Sequence, residues 1–151
     1  MSKFTQLDLF QTAAPKSVST LKCLFLKQAY AYALFHGKDI ENRTWRVNHR
    51  GLVLIGASKF DENYYLESVQ VCMERGLLIP PPDLLAFGAI VGVVDLVDIT
   101  WGHESKGWGF ANQWHWHVTN AREFREPIKY RGMPGLFDVP MTLQEVNELC
   151  R

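Results

Sequence analysis

The sequence lacks a long apolar run, closely paired cysteines and a net charge, three features that would each suggest a class of protein. Its longest nearly apolar run covers 84–94, which is too short for a helix that needs about 20 residues to cross a bilayer. The start, MSKFTQLDLF, has no apolar stretch behind basic residues, so it does not resemble a signal peptide. We therefore expect a cytoplasmic protein with no membrane partner.

The cysteines are too few and too scattered to form a disulfide framework or a zinc site. Cys23, Cys72 and Cys150 are far apart, their number is odd, and no CxxC pair occurs. This usage is typical of reduced thiols in a reducing compartment.

The formal net charge is zero, but the charges are unevenly distributed along the chain. Residues 61–104 carry eight acids and one base, whereas 36–60 carry five bases and two acids. A polyanion can bind one basic face of a neutral molecule. The alternative is that these charges are scattered over a mixed surface.

A length of 151 residues indicates one domain. We expect 1–19 to be a flexible N-terminal tail and 20–151 to be the folded domain. Strands are predicted near 20–26, 39–47, 52–58, 86–99, 113–120 and 135–139, and helices near 27–37, 61–76 and 142–149, the last starting with a Thr142/Glu145 capping box. Gly88 and Gly92 mark a bulge or bend in the long apolar strand. This order predicts an α+β fold, a mixed β-barrel of about five or six strands with flanking helices.

The densest polar segment is GKDIENRTWRVNHRG, residues 37–51. If 40–47 is a strand, Glu41 and Arg43 point to one face and can form an ion pair that orients Arg43 towards a phosphate. Lys38 precedes them at a turn, where a lysine can bind phosphate or transfer a proton. The alternative is a surface strand stabilised by salt bridges.

Four blocks in order resemble the ASCH domain of the PUA-like superfamily: GKDIENRTW, RGLVLIGASK, FGAIVGVVDLVDI and QWHWHVTNAREFREPIKYRGMPGLFDV. The resemblance covers roughly 20–140. It implies a PUA-like β-barrel with flanking helices and a cleft beside the G-K-x-x-E-x-R signature. It also implies binding of RNA or a modified nucleobase around Lys38, Glu41 and Arg43.

The resemblance leaves enzymatic activity open. One ASCH branch hydrolyses N4-acetylcytidine with a lysine that matches Lys38, but it has a threonine at the position of Glu41. Another branch is a metal-independent ribonuclease that uses this lysine and an upstream tyrosine, for which Tyr32 is the candidate. In amide hydrolysis Lys38 would pass protons, with Glu41 as partner or base. In RNA cleavage Lys38 and Arg43 would offset charge on the phosphorane, and Tyr32 or Glu41 would move a proton. The catalytic candidates are therefore Lys38, Glu41 and Tyr32, and no cofactor is expected.

A protein that only binds nucleic acid would place basic side chains on phosphates and an aromatic ring on a base. The candidate binding residues are Lys38, Arg43, Arg50, Ser58, Lys59 and Trp108. Trp108 lies in KGWGF, where it is either a stacking platform or a packed loop residue.

Histidines of the fifth predicted strand and the loop before it offer a weaker alternative. His103, His115 and His117 could form a three-histidine metal site. Because no acid or thiol with ligand spacing joins them, we expect no metal and place these histidines along the cleft or the exposed face of the barrel.

The tail contains QLDLF, residues 6–10, which resembles the peptide that docks bacterial proteins on the DNA polymerase sliding clamp. The resemblance implies that Leu7, Leu9 and Phe10 fill apolar pockets and that Gln6 fixes the start by hydrogen bonds. The clamp would then be a second partner, in a bacterium, phage or plasmid. The alternative is that these side chains fold back onto the barrel as an edge strand or plug.

Overall fold

The computed structural model of the chain describes residues 19–150, which form an α+β fold with six strands in one sheet and three flanking α-helices. The strands are β1 (Thr20–Leu26), β2 (Ile40–Arg43), β3 (Gly51–Ala57), β4 (Ala89–Gly102), β5 (Gln113–Lys129) and β6 (Leu136–Pro140). The helices are α1 (Tyr30–Leu34), α2 (Glu62–Glu74) and α3 (Leu143–Leu149). The predicted fold class, with about five or six strands and flanking helices, is confirmed.

The strand order in the sheet is β2-β5-β4-β3-β1-β6. β1 and β3 are parallel and the other neighbours are antiparallel, so the sheet is mixed and curls into a half-barrel. The register between β4 and β5 shifts between Ile90 and Gly92. A Cβ at Gly92 would lie 2.5 Å from the Phe35 ring and 2.6 Å from the Arg122 carbonyl oxygen. The predicted irregularity at Gly92 is therefore confirmed.

Apolar side chains cover both faces of the sheet, because successive residues of a strand point to opposite sides. On β1, Leu24 belongs to one buried cluster and Cys23 to another. α1 covers the first cluster through Leu34, and α3 covers the second through Val146. α2 packs on α1 through Cys72, in a third and smaller cluster.

Both helices that the sequence predicts to start with a polar cap do so. The Asp61 carboxylate accepts a hydrogen bond from the Tyr64 amide before α2, and Thr142 and Glu145 form a complete capping box before α3. Across residues 19–150, no helix is long and apolar enough to span a bilayer.

Three elements differ in length from the sequence-based prediction. α1 has five residues, shorter than the predicted 27–37, and β5 reaches Lys129 because the long, bulged β4 pairs along most of its length. β2 ends at Arg43 because the chain then leaves the sheet. Trp45 packs its ring against Trp116 at 5.0 Å, and its carbonyl accepts a hydrogen bond from the Trp116 indole.

Candidate functional site

Three charged side chains of the signature segment form one continuous chain of ion pairs. Lys38 Nζ lies 2.6 Å from Oε1 of Glu41, and Arg43 Nε lies 2.9 Å from Oε2 of the same carboxylate. Glu41 and Arg43 share one face of β2, as the alternation of a strand requires. Gly37, at φ +119°, allows the tight turn that brings Lys38 from the end of α1 back to β2.

The ion pairs are sealed at the lysine end and open at the arginine end. The Lys38 side chain is 1% exposed and that of Glu41 9%, whereas the Arg43 side chain is 23% exposed. Burial on its own would raise the pKa of the Glu41 carboxyl, but the charges and hydrogen bonds of Lys38 and Arg43 outweigh it and lower that pKa. Glu41 is therefore an ionised carboxylate that holds two cations in fixed positions.

A small hollow of about 80 Å³ lies at the lysine end. It is lined by Tyr30, Lys38, Glu41, Asn42, Phe110 and Gln113. Lys38 Nζ lies 5.5 Å from the centre of the Tyr30 ring. Burial is the main cause that raises the pKa of Tyr30 to about 12. Because pockets for small organic ligands measure about 300–1,000 Å³, this hollow is too small to hold a nucleotide as it stands.

A much larger cleft, of about 910 Å³, lies at the arginine end, and we call it the basic cleft. Its lining includes five basic residues, Lys27, Arg43, Lys59, Lys129 and Arg131, together with Ser58, the aromatic residues Phe25, Phe60, Phe87 and Tyr130, and residues 132–135. Among the described residues that line it, none is Asp or Glu. Phosphate oxygens would therefore meet positive charge here, although Arg43 also pairs with the Glu41 carboxylate behind it.

The basic cleft is formed where several strands end. Lys27 directly follows β1, Arg43 is the last residue of β2, and Ser58 and Lys59 follow β3. Lys129 ends β5 and begins the loop that leads to β6. Residues that are distant in the chain are thus brought together at one cleft of the curled sheet.

The floor of the basic cleft is the ring of Phe25, which fits between two glycines. A Cβ at Gly56 or at Gly132 would overlap this ring. The Phe25 carbonyl also accepts a hydrogen bond of 3.2 Å from Arg43 Nη2. Phe25 therefore contributes twice to the cleft, with its ring to the lining and with its carbonyl to the position of Arg43.

The structure brings some of the predicted site residues together and separates others. Arg43, Ser58 and Lys59 line the basic cleft, and Lys38 and Glu41 lie directly behind Arg43. Arg50 lies at the opposite end of β3, where its Nη2 is 3.7 Å from Asp98. At about 3.3 Å per residue along a strand, β3 separates it from Ser58 by more than 20 Å.

Tyr32 and Trp108 also lie outside the basic cleft. The ring of Tyr32 stacks on His36 at 3.8 Å and lines a different depression, so the tyrosine next to Lys38 is Tyr30. Trp108 is half-buried against the cluster of α1 and α2, and its carbonyl accepts a hydrogen bond from the Asn42 side chain. Of the two alternatives for Trp108, the structure shows the packed loop residue. Gln6, Leu7, Leu9 and Phe10 lie outside the described residues.

Sequence reasoning missed much of the basic cleft. Three of its five cations, Lys27, Lys129 and Arg131, and the exposed ring of Phe60 are not among the candidates, because no spacing rule connects them. Lys27 directly follows the first predicted strand, which is a signal that it lies at a strand end. Lys129 and Arg131 lie nine or more residues beyond the predicted fifth strand, 113–120, so the sequence offers no such signal for them. A position after a strand also does not show that the ends of different strands meet in one cleft.

The histidines are used in the packing of the fifth strand and its neighbours. His115 is buried against Gly102 and Gly109 and hydrogen-bonds to the Phe110 carbonyl at 2.7 Å, and His117 pairs with the Thr100 hydroxyl. Within the described part of the chain, no three His, Cys, Asp or Glu residues are grouped so that they could hold a metal ion.

Comparison with protein-family models and with curated proteins finds no match to this chain. The functional argument therefore depends on the geometry described above and on the resemblance carried by the signature segment.

Proposed function

We propose that the protein binds nucleic acid, either RNA or a modified nucleobase, through the basic cleft. The observation that carries the proposal is the set of five cations around one cleft that no described carboxylate lines. Lysine and arginine contacts to phosphates provide most of the affinity of such complexes. Because the net charge of the chain is zero, the concentration of cations around this cleft is more informative than it would be on a basic protein.

The ion pairs behind the cleft support the same proposal. An arginine held by a carboxylate and by a backbone carbonyl has little freedom to lose when a ligand binds. In this arrangement Arg43 contacts the ligand, and Lys38 and Glu41 position Arg43. Lys38, Glu41 and Arg43, which form these ion pairs, are the residues of the ASCH-like signature. For this reason we also propose ASCH-type recognition of RNA or a modified base.

Salt-dependent binding tests the proposal. We expect a single-stranded RNA octamer to bind in a fluorescence-anisotropy titration with an affinity that falls as salt rises. Lys59→Ala together with Arg131→Ala removes two cleft cations, so the affinity should fall and the log–log salt slope should shrink by up to about 1.4, since each phosphate contact on a single strand contributes about 0.7.

Lys106→Ala provides the matched control. Lys106 is an exposed cation in the loop between β4 and β5, away from the basic cleft. Its removal should leave both the affinity and the slope within error of the wild type. Equal losses for the cleft and control variants would reject the basic cleft as the binding site.

A hydrolase is the second candidate, because a buried lysine and carboxylate lie 2.6 Å apart beside the Tyr30 hydroxyphenyl ring. Such a pair can exchange a proton with a substrate. Phe110 lines the small hollow and its amide donates to the Asn42 side chain, so a substrate reaches Lys38 only if this contact opens.

Incubation with N4-acetylcytidine and with single-stranded RNA, each with a chelator present, tests this second candidate. Turnover that Lys38→Ala abolishes and Lys106→Ala preserves would support it. If the wild type converts neither compound, both proposed reactions are excluded and the binding proposal is unaffected.

A further inference from the structure

An exposed aromatic ring lies beside the cations of the basic cleft. Phe60 directly follows Lys59 and is 50% exposed, although it is held by two aromatic neighbours. Its ring centre lies 5.2 Å from that of Phe87, at an interplanar angle of 89°, and 5.8 Å from that of Tyr65. A large ring that is fixed in place yet half exposed offers an apolar surface to a ligand without the loss of much side-chain entropy.

We infer that the basic cleft takes an unpaired nucleobase of a single-stranded nucleic acid, stacked on Phe60, with the flanking phosphates on the cleft cations. This inference rests on the proposed function and names the substrate class of the same site. It also replaces Trp108 as the stacking residue, since Trp108 is packed against α1 and α2.

The position of the cations supports this assignment. Lys59 is the chain neighbour of Phe60, and Lys27 Nζ lies 3.0 Å from the centre of the Tyr64 ring, on the first turn of α2. The ring of Phe60 thus has a cation on its own loop and another at the start of the adjacent helix. Alternation of positive charge and aromatic surface is the pattern by which proteins bind single strands.

Paired bases do not have a free face for this ring. The basic cleft has a volume of about 910 Å³, within the range of pockets that take small organic ligands, about 300–1,000 Å³. Bases within a duplex are stacked on one another and hide their faces, so a base reaches Phe60 only when it is unpaired or extruded. The carboxylates of polyglutamate would satisfy the cations, but this polymer has no flat ring to place on Phe60.

The test compares a single-stranded adenine RNA octamer that carries one 2-aminopurine with the same strand in a duplex. A base that stacks on an aromatic residue contributes to the binding free energy, so Phe60→Leu should weaken binding of the single strand at least about fivefold. The same variant should reduce the change in 2-aminopurine emission on binding. Binding of the duplex and the salt slope of the single strand should not change. Phe60→Tyr keeps a ring and should bind within about twofold of the wild type.

Trp101→Leu serves as the control, because Trp101 is a 40% exposed aromatic on β4 outside the basic cleft. Thermal unfolding of each variant shows whether it is folded. A DNA strand of the same base sequence shows whether the protein prefers ribose or deoxyribose. Phe60→Leu must weaken binding of whichever strand binds more tightly.

Three results would overturn the inference: equal affinity for single strand and duplex, binding of polyglutamate as tight as that of RNA, or unchanged single-strand affinity in Phe60→Leu. If the Lys59→Ala/Arg131→Ala variant still loses affinity in that last case, the base-stacking inference fails and the proposed function stands. If neither variant loses affinity, both fail.

Discussion

Glu41 shares one carboxylate between a buried lysine and a half-buried arginine. Such a pairing is costly to break, because the loss of one partner leaves the other charge buried without compensation, at about 3–5 kcal/mol for a fully buried pair. Here Lys38 has 1% of its side chain exposed, so water does not replace Glu41 as its partner. The stability of the site therefore depends on the ionised state of Glu41.

The lowered pKa of Glu41 predicts a dependence of stability on pH. A carboxyl group whose folded pKa lies below its unfolded value stabilises the fold above the unfolded pKa, and this contribution is lost as the pH falls through the folded pKa. We expect Glu41→Gln to be less stable than the wild type at pH 7, by about 3 kcal/mol. The difference should shrink at pH values below the unfolded pKa of about 4.3. Urea unfolding at a series of pH values from 7 to 3 measures it.

Asp138→Asn is the control for this prediction. Its partner Lys22 lies 2.9 Å away, but both side chains are well exposed, at 53% and 38%, and exposed pairs contribute about 0–1 kcal/mol. A difference between Glu41→Gln and wild type that stays constant from pH 7 to pH 3 would contradict the ionised role of Glu41.

At the scale of elements, the shape of the basic cleft depends on the close approach of the Phe25 ring to the backbone of two glycines. The Phe25 ring at the end of β1 occupies the space above Gly56 in β3 and against Gly132 in the loop before β6. No larger residue fits at either glycine unless the ring moves. Phe25 thus packs β1 against β3 and against the loop that follows Arg131.

Gly56→Ala should therefore destabilise the protein and alter the basic cleft. Extra methyl groups in a packed site typically cost about 1–3 kcal/mol. We expect a lower midpoint of thermal unfolding, and weaker RNA binding because the displaced ring moves the carbonyl that holds Arg43.

The double variant Gly56→Ala/Phe25→Leu tests the cause. A smaller side chain at position 25 leaves room for the new methyl group, so the double variant should be more stable than the sum of the two single effects predicts. Strict additivity would show that contact with Phe25 is not what excludes a side chain at Gly56.

Most elements could be predicted from local patterns, and the exceptions have physical reasons. Asp61 and Thr142 cap helices because their side chains satisfy amides close to them in sequence. The predicted β5 is too short because the second half of the strand has little apolar alternation. This half is a strand because it pairs with β4, for example Glu123 with Gly92. Pairing with a distant strand overrides local preference.

At the scale of the whole molecule, the neutral chain divides its charges between surfaces. Five of the 16 Lys and Arg residues line the basic cleft, while the acid-rich segment 61–104 runs through α2 and along β4, where Asp95 and Asp98 are paired with Arg122 and Arg50. We expect a phosphate-bearing strand to be drawn to the basic cleft rather than to the acid-rich segment, which favours one orientation on the protein.

Residues 6–10, QLDLF, lie outside the described residues, and we propose that they dock on a sliding clamp. Wild-type protein should capture a purified bacterial clamp, and Leu9→Ala/Phe10→Ala should lose it without a change in thermal stability. Phe4→Ala, in the same tail but outside the motif, should still capture the clamp.

A different result would support the alternative for this segment. If the double variant lowers the midpoint of thermal unfolding and the wild type captures no clamp, Leu9 and Phe10 act as a plug on the barrel and the docking proposal fails.

The sequence by itself determined the α+β class, the helix caps and the pairing of Glu41 with Arg43, because each depends on neighbours within a few residues. Only the tertiary structure decided that Lys38 is sealed, that Tyr30 and not Tyr32 lies beside it, and that Arg50 lies at the far end of β3. It also decided that Lys27, Lys129 and Arg131 join Arg43 in one cleft. The physical reason is that such a cleft is formed by the ends of strands whose order in the sheet differs from their order in the chain.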